Sequence, residues 1–227
     1  MSRVYGSGSN GASEMDHAAR LRSLGTALVC DVLDGLDSRD SFLGPEIMPV
    51  WSSGPIAGRA FTLTCLPVSK VPGEPYGMLF RALADRQEGA ILVIKAGDRI
   101  SGVWGELLST AALARGFSGV VTDGLTRDVT GLIDLQFPVY ASGTSPLDSA
   151  GRQDFAAFGD PITIGGVTVS SSDWIVADNL GAARIPVELL DQVIERGLEK
   201  MAGESTVRHE LAAGEDLGTV FRRHGIL

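Results

Sequence analysis

The spacing of apolar residues along the chain predicts alternating helices and strands. Thr26 is a good N-cap residue, and Val29, Val32, Leu33 and Leu36 follow it at helical spacing, which predicts a short amphipathic helix. A loop rich in glycine and proline is expected over 44–58. The later pattern predicts strands over 60–68, 90–94, 119–122, 138–141 and 174–177, helices over 76–83, 106–115, 187–201 and 217–227, and a hairpin within 162–169 that turns at Gly165 and Gly166.

Parallel and antiparallel pieces in one chain, without an internal repeat, predict a single mixed α/β domain over 14–227. Residues 1–13 are expected to form a flexible tail, because MSRVYGSGSNGAS has little to bury and many residues that are costly to order. The 227 residues are enough for a sizeable core.

Composition narrows the classes of partner. Nineteen basic and 28 acidic side chains give a net charge of −9, so we expect no nucleic acid partner. No apolar run is long enough to cross a bilayer, so no membrane partner and a cytoplasmic location are expected. Cys30 and Cys65 lack the CxxC spacing of a zinc or redox site and are predicted to be buried thiols.

The stretch from Val103 to Asp128 carries the most chemistry. A helix of ten residues is about 15 Å long and a strand of five about 16 Å, so the start of the predicted helix should lie beside the end of the strand that follows. The unpaired N–H groups of Gly105, Glu106 and Leu107 favour an anion at the start of that helix. A ligand cleft is therefore expected at the carboxyl end of the strand.

The side chains expected there complement one another. Arg127 can bind a carboxylate through two hydrogen bonds, Asp128 can hold a divalent cation, and Glu106 can accept hydrogen bonds from the cation's water. One protein carboxylate with several waters is typical of Mg²⁺ and suits a small 2-oxo acid, because the metal would stabilise the enolate left by C–C cleavage. Spacing alone favours a simpler interpretation, a solvated Arg127–Asp128 ion pair and a glutamate placed by the helix dipole.

Two segments, WGELLSTAALARGFSGVVTDGLTRD and the C-terminal VRHELAAGEDLGTVFRRHGIL, resemble the RraA-like family. This family contains the class II 4-hydroxy-4-methyl-2-oxoglutarate/4-carboxy-4-hydroxy-2-oxoadipate aldolases and the ribonuclease E inhibitor RraA. The similarity runs from about Thr26 to the C-terminus. It implies a compact α/β/β sandwich of the swivelling-domain type with a mixed sheet, assembled as a homotrimer or homohexamer whose active sites lie at subunit interfaces.

The resemblance also implies roles for single residues. The family's aldolases have an acidic residue, twenty intervening residues and then Arg-Asp, and here Glu106 precedes Arg127 and Asp128 by that interval. Asp128 would then bind Mg²⁺ or Mn²⁺ directly, Arg127 would bind the substrate's carboxylate and oxo group, and Glu106 would hydrogen-bond a metal-bound water. Backbone groups would complete the substrate pocket at Gly105, Glu106, Leu107 and Leu108.

An acidic residue of the neighbouring subunit is expected to reach the metal's waters, and the family pattern points to Glu204 or Glu199, with Glu204 preferred. A surface carboxylate on a solvated helix is an equally good interpretation of either position. A Schiff-base aldolase would need a buried lysine, for which Lys95 at the end of an apolar strand remains a candidate.

Two classes of function follow. The first is a metal-dependent lyase that releases pyruvate from a 4-hydroxy-2-oxo acid, decarboxylates oxaloacetate, or does both. The second is a non-catalytic protein-binding regulator of a ribonuclease. The family's aldolases usually have aspartate at the position of Glu106, whereas the inhibitor branch has glycine there and an acid three residues after the aspartate. Gly131 occupies that later position here, which favours the enzyme. Another metal-dependent reaction on the same scaffold stays open.

Overall fold

The computed structural model describes residues 10–226. Of the tail expected over 1–13, residues 1–9 lie outside the described part, and the first helix begins at Asn10. The elements are α1 (Asn10–Gly35), β1 (Met48–Trp51), β2 (Ile56–Pro67), α2 (Gly77–Ala82), β3 (Ile91–Lys95), β4 (Gly102–Trp104), α3 (Glu106–Ala114), β5 (Gly119–Thr122), β6 (Leu125–Thr126), α4 (Val129–Leu135), β7 (Val139–Ala141), β8 (Gln153–Phe158), β9 (Ile162–Ile164), β10 (Val167–Val169), β11 (Trp174–Asp178), β12 (Gly181–Ile185), α5 (Leu190–Ala212) and α6 (Leu217–His224).

The main sheet is mixed and has the strand order β1-β7-β5-β3-β2-β11-β12, with β8 also paired to β2. The four central strands β2, β3, β5 and β7 are parallel, whereas β1, β8, β11 and β12 join antiparallel. The long strand β2 pairs through its first half with β11 and through its second half with β8. Since β3 and β5 are adjacent and parallel, the loops after them leave the same edge of the sheet.

Three groups of elements pack on this sheet, because its central strands are apolar on both faces. Helices α2, α3 and α4 pack on one face, where Leu92, Ile94 and Val120 point. The hairpin β9-β10 packs on the other face against Ile91 and Val93. Helices α1 and α5 cover β11 and β12. The α/β/β arrangement expected from the sequence is confirmed.

Helix α1 has a kink at Gly25, whose φ of 72° is left-handed. The second half begins at Thr26, as predicted, but the predicted capping role of Thr26 is wrong. Asp178, at the end of β11, accepts hydrogen bonds from the Thr26 N–H at 2.8 Å and from its hydroxyl at 2.6 Å. A Cβ at residue 25 would lie 2.9 Å from Asp178 Oδ2, so glycine permits both the kink and the contact.

Most elements predicted from periodicity are present, but the loop expected over 44–58 is partly wrong. It contains β1 and the start of β2. Strand β1 pairs with β7 at the edge of the sheet, where Pro49 is tolerated. Within residues 10–226, no helix is long and apolar enough to span a bilayer.

Candidate active site

The start of α3 lies beside the segment that follows β5, where the sequence places the candidate site. The short parallel pair β4-β6 joins the two segments. The Trp104 carbonyl accepts hydrogen bonds from the Arg127 N–H at 2.9 Å and from the Thr126 hydroxyl at 3.1 Å. The buried Trp104 side chain donates to Ser109 Oγ at 2.8 Å, which fixes the strand to the first turns of α3. The backbone therefore sets the position of Arg127.

Arg127 lies between two carboxylates. Its Nε donates to Asp128 Oδ2 at 3.1 Å, and its Nη1 donates to Asp148 Oδ2 at 3.0 Å. Gly102 and Gly105 leave room for the side chain, because a Cβ on either would lie 3.1 Å or 2.9 Å from Arg127 Cγ. Hydrogen bonding and charge from Asp128, with further contributions from Asp148, raise the pKa of Arg127. The guanidinium is thus held in one orientation and stays charged.

Asp128 adopts an uncommon backbone conformation. It occupies the N-cap position of α4 with φ 56° and ψ 42°, and its side chain makes no capping hydrogen bond. The side chain turns towards Arg127 and Gly105 and is 40% exposed. The carboxylate that would ordinarily cap the helix is therefore available to a ligand.

Sequence reasoning missed Asp148. Its loop reaches the site through a bridge to Gly102, and no spacing links it to Arg127, which lies 21 positions earlier. The Ala150 N–H donates to the Asp148 carboxylate at 2.8 Å. That hydrogen bond and then the interaction with Arg127 lower the pKa of Asp148. Asp148 is therefore ionised under neutral conditions and orients Arg127.

Gln153, which sequence reasoning also missed, organises the loop before Gly102. Its buried amide accepts a hydrogen bond from the Gly97 N–H at 2.9 Å and donates to Ser101 Oγ at 2.8 Å. A glutamine at a buried strand position gives no apolar signal, so the alternation of β8 was hidden in the sequence.

Arg127, Asp128 and Asp148 line a cleft of about 250 Å³. Its wall contains five of the residues expected from the sequence: Gly105, Leu107, Leu108, Arg127 and Asp128. Glu106 is not in that wall. Its side chain lies against Gly131 in the first turn of α4, where a Cβ would come within 2.5 Å of Glu106 Cγ. The structure thus places the Glu106 side chain against α4, outside the wall that its neighbours Gly105 and Leu107 line.

Other candidates lie elsewhere. Glu204 and Glu199 belong to α5, which packs on α1 and α6, and neither lines the cleft within this chain. Lys95 Nζ donates to the Thr163 carbonyl at 2.8 Å on the hairpin, so the structure does not place it in the cleft. A larger cavity of about 460 Å³ lies near Gly89, before β3 begins, away from these groups.

The cleft offers oxygen donors for a hard cation. Among residues 10–226 no group of three or more His, Cys, Asp or Glu side chains is arranged to hold a metal. The cleft has two exposed carboxylates, Asp128 and Asp148, and so small a set of protein oxygen donors matches Mg²⁺, which keeps several of its waters. The residues present therefore fit a hydrated divalent cation.

Comparisons with known proteins agree with this fold. The model of the RraA-like family, described as Aldolase/RraA, matches residues 26–183. A provisionally named 4-hydroxy-4-methyl-2-oxoglutarate aldolase of Halalkalibacterium halodurans is 28% identical over 193 residues, which cover 85% of this chain and 87% of that protein. Protein DlpA of Legionella pneumophila is 28% identical over 87% of this chain, but the match covers 32% of DlpA, so the chain spans about a third of that protein.

A solved structure shows the same fold. Streptomyces coelicolor RraAS2, described as an unusual member of the RNase ES inhibitor RraA protein family, has a TM-score of 0.75 and 26% identity, covering 92% of this chain and 98% of that one. Because the family model covers well over half of the residues, the chain belongs to the RraA-like family.

Proposed function

We propose that the chain is a divalent-metal-dependent carbon–carbon lyase that acts on a small 2-oxo acid. The reaction would be retro-aldol cleavage of a 4-hydroxy-2-oxo acid with release of pyruvate, with oxaloacetate decarboxylation as a second reaction. The observation that carries the proposal is the pair Arg127 and Asp128, held side by side in a cleft at the start of α3. The provisional aldolase name of the Halalkalibacterium halodurans relative supports the same class.

Substrate binding would use Arg127 and the helix start. The guanidinium donates to Asp128 and Asp148 and retains Nη2 for the carboxylate of the substrate. The first backbone N–H groups of a helix have no partner within the helix, so those of Glu106, Leu107 and Leu108 are available to an anion. Together these donors would orient the carboxylate and 2-oxo group.

Asp128 would hold Mg²⁺ or Mn²⁺ directly, and Glu106 would bind one of its waters. Such an ion supplies a Lewis acid that withdraws negative charge from the 2-oxo group while the neighbouring C–C bond breaks. Arg127, fixed by two carboxylates, would stabilise the same charge from the other side without reorganising.

A homotrimer or homohexamer would complete the site. Asp128 and Arg127 are 40% and 33% exposed in the single chain, so a neighbouring subunit could cover them. Glu204, which does not line this cleft, would then reach the metal's waters from that neighbour.

The test is pyruvate release from a panel of 4-hydroxy-2-oxo acids and oxaloacetate, with Mg²⁺ or Mn²⁺ and then with a chelator. We expect Asp128→Ala to abolish turnover and Arg127→Ala to raise KM and lower kcat. Asp134→Ala, which removes an exposed carboxylate from the same helix, is the matched control and should leave activity unchanged. Turnover that survives both Asp128→Ala and the chelator would refute the site.

The second candidate is a non-catalytic regulator that binds a ribonuclease. The likeness to RraAS2 supports it. In that case no substrate in the panel would be turned over, and a purified ribonuclease E would bind the chain in a calorimetric titration.

A further inference from the structure

The cleft is poor in positive charge. Among the residues that the structure describes, Arg127 is the only basic side chain that lines it, whereas Asp128 and Asp148 contribute two carboxylates. The lining therefore has a net charge of −1, in a chain whose overall net charge is −9. A divalent cation on Asp128 would change the charge of the lining that this chain contributes to +1, which one substrate carboxylate balances.

The hydrogen-bond donors of Arg127 also limit the substrate to one carboxylate. Nε is used by Asp128, and one hydrogen of Nη1 is used by Asp148. Nη2 and the second Nη1 hydrogen remain, and they suffice for one carboxylate. A second substrate carboxylate in the cleft would have no cation to pair with and would be repelled by the carboxylate of Asp148 at close range.

Most side chains of the remaining wall are apolar or aromatic. They are Tyr76, Phe80, Val103, Leu107 and Leu108, and Ser149 is the uncharged polar residue beside them. Phe80 is 65% and Leu107 is 80% exposed, so both present apolar surface to whatever enters the cleft. Covering this surface with a hydrocarbon tail strengthens binding by about fourfold for each methylene.

We infer, on the basis of the proposed function, that the substrate is a 4-hydroxy-2-oxo acid with a single carboxylate and an apolar substituent beyond C4. In its cleavage the C3–C4 bond breaks and its electron pair moves to C3. The C4 hydroxyl loses its proton and becomes the carbonyl of an apolar aldehyde, while C3 gains a proton and becomes the methyl group of pyruvate. No oxidant or reductant is needed. Dicarboxylic 4-hydroxy-2-oxo acids are disfavoured.

Binding can be measured without turnover. The compounds 2-oxohexanoate and 2-oxoadipate have the same chain length and differ only in a terminal methyl group or carboxylate, and both lack the 4-hydroxyl that cleavage requires. In calorimetric titrations of the Mg²⁺-loaded protein we expect 2-oxohexanoate to bind at least tenfold more tightly. Equal affinities, tighter binding of 2-oxoadipate, or no binding of either would overturn the inference.

A pair of variants tests the cause. Leu107→Arg adds a cation to the cleft wall and should raise the affinity for 2-oxoadipate at least tenfold. Leu113→Arg adds the same charge to the same helix outside the cleft and should not change that affinity. Asp148→Asn removes one negative charge and should narrow the preference for 2-oxohexanoate several-fold. Equal effects of the two arginine variants, with no effect of Asp148→Asn, would contradict the argument.

Measurements of pyruvate release distinguish a failure of this inference from a failure of the proposed function. Faster cleavage of dicarboxylic than of monocarboxylic 4-hydroxy-2-oxo acids would overturn the inference and leave the lyase intact. Preferred binding of 2-oxohexanoate without pyruvate release from any acid would support the binding preference and refute the lyase.

Discussion

We expect the Gly131→Ala substitution to preserve the stability of the protein and to lower its activity. In α4, replacing a helical glycine with alanine stabilises a helix by about 1 kcal/mol, because alanine loses less backbone entropy on folding. A Cβ at this position would lie 2.5 Å from Glu106 Cγ and 2.6 Å from Glu106 Oε2. Glu106 is exposed and can rotate away at little cost. We therefore expect Gly131→Ala to leave the free energy of unfolding unchanged or to raise it by up to about 1 kcal/mol.

The same substitution should impair the site. In the proposed site Glu106 would hold a water of the metal on Asp128, and a displaced Glu106 would lose that hydrogen bond. Loss of such a hydrogen bond lowers metal affinity or activity by about 10- to 100-fold. Urea unfolding measures the first effect, and pyruvate release with a calorimetric Mg²⁺ titration measures the second. Thr130→Ala, in the same turn, is the matched control and should retain activity.

A double-mutant cycle tests the mechanism. If Gly131→Ala acts only through Glu106, adding it to Glu106→Ala causes no further loss, and the single and double variants have similar activity. A loss from Gly131→Ala that persists undiminished in the Glu106→Ala background would refute the reasoning, as would full activity of Glu106→Ala alone.

Three further predictions concern other groups. Asp178→Ala removes the acceptor for the Thr26 N–H and hydroxyl, so urea unfolding should show a loss of about 1 to 2 kcal/mol, whereas Asn179→Ala should cost little. Because the folded-state pKa of Asp148 is lowered, its contribution to stability should be present above about pH 4 and lost as the pH falls through the folded-state value, so acid unfolding of Asp148→Asn and of the unmodified protein should converge at low pH. Burial, with nearby carboxylates, raises the pKa of Cys30 to about 11 and raises that of Cys65 as well, so mass spectrometry should detect alkylation of the native protein at pH 7.5 at least about tenfold slower than that of the urea-unfolded chain.

Much of the fold could be predicted because its central strands are strongly apolar. The uninterrupted runs at β3 and β5 and the Gly165–Gly166 turn are local signals, and the structure contains the elements they predict. Strand β8 could not be found in this way, because its buried Gln153 is satisfied by a loop more than fifty residues earlier. The cap of the second half of α1 could not be predicted either, because the acceptor for the Thr26 N–H is Asp178, which is distant in sequence.

In the candidate site, too, residues placed by local sequence signals could be predicted, whereas residues placed by tertiary contacts could not. Gly105, Arg127 and Asp128 could be placed together from the matching lengths of one helix and one strand. Asp148 could not, because a bridge to Gly102 brings it to the cleft from outside that unit. The contact of Glu106 with Gly131 was also hidden, since it depends on how α3 packs against α4. Local periodicity thus located the cleft, and tertiary contacts decide its charge.

Backbone strain gives evidence for the cleft that does not depend on the family. Within the described residues four non-glycine positions have left-handed φ: Asp37, Tyr76, Asp128 and Gln136. Asp37 and Gln136 follow the ends of α1 and α4, where this conformation commonly ends helices. Tyr76 and Asp128 instead immediately precede α2 and α4, where neither side chain makes a capping hydrogen bond, and both residues line the cleft. Such conformations cost about 1 kcal/mol or more each and persist where surrounding structure imposes them, often at functional sites. Both strained residues lie in the wall that contains Arg127. This wall is therefore the part of the fold whose backbone conformation is best explained by ligand binding and not by stability.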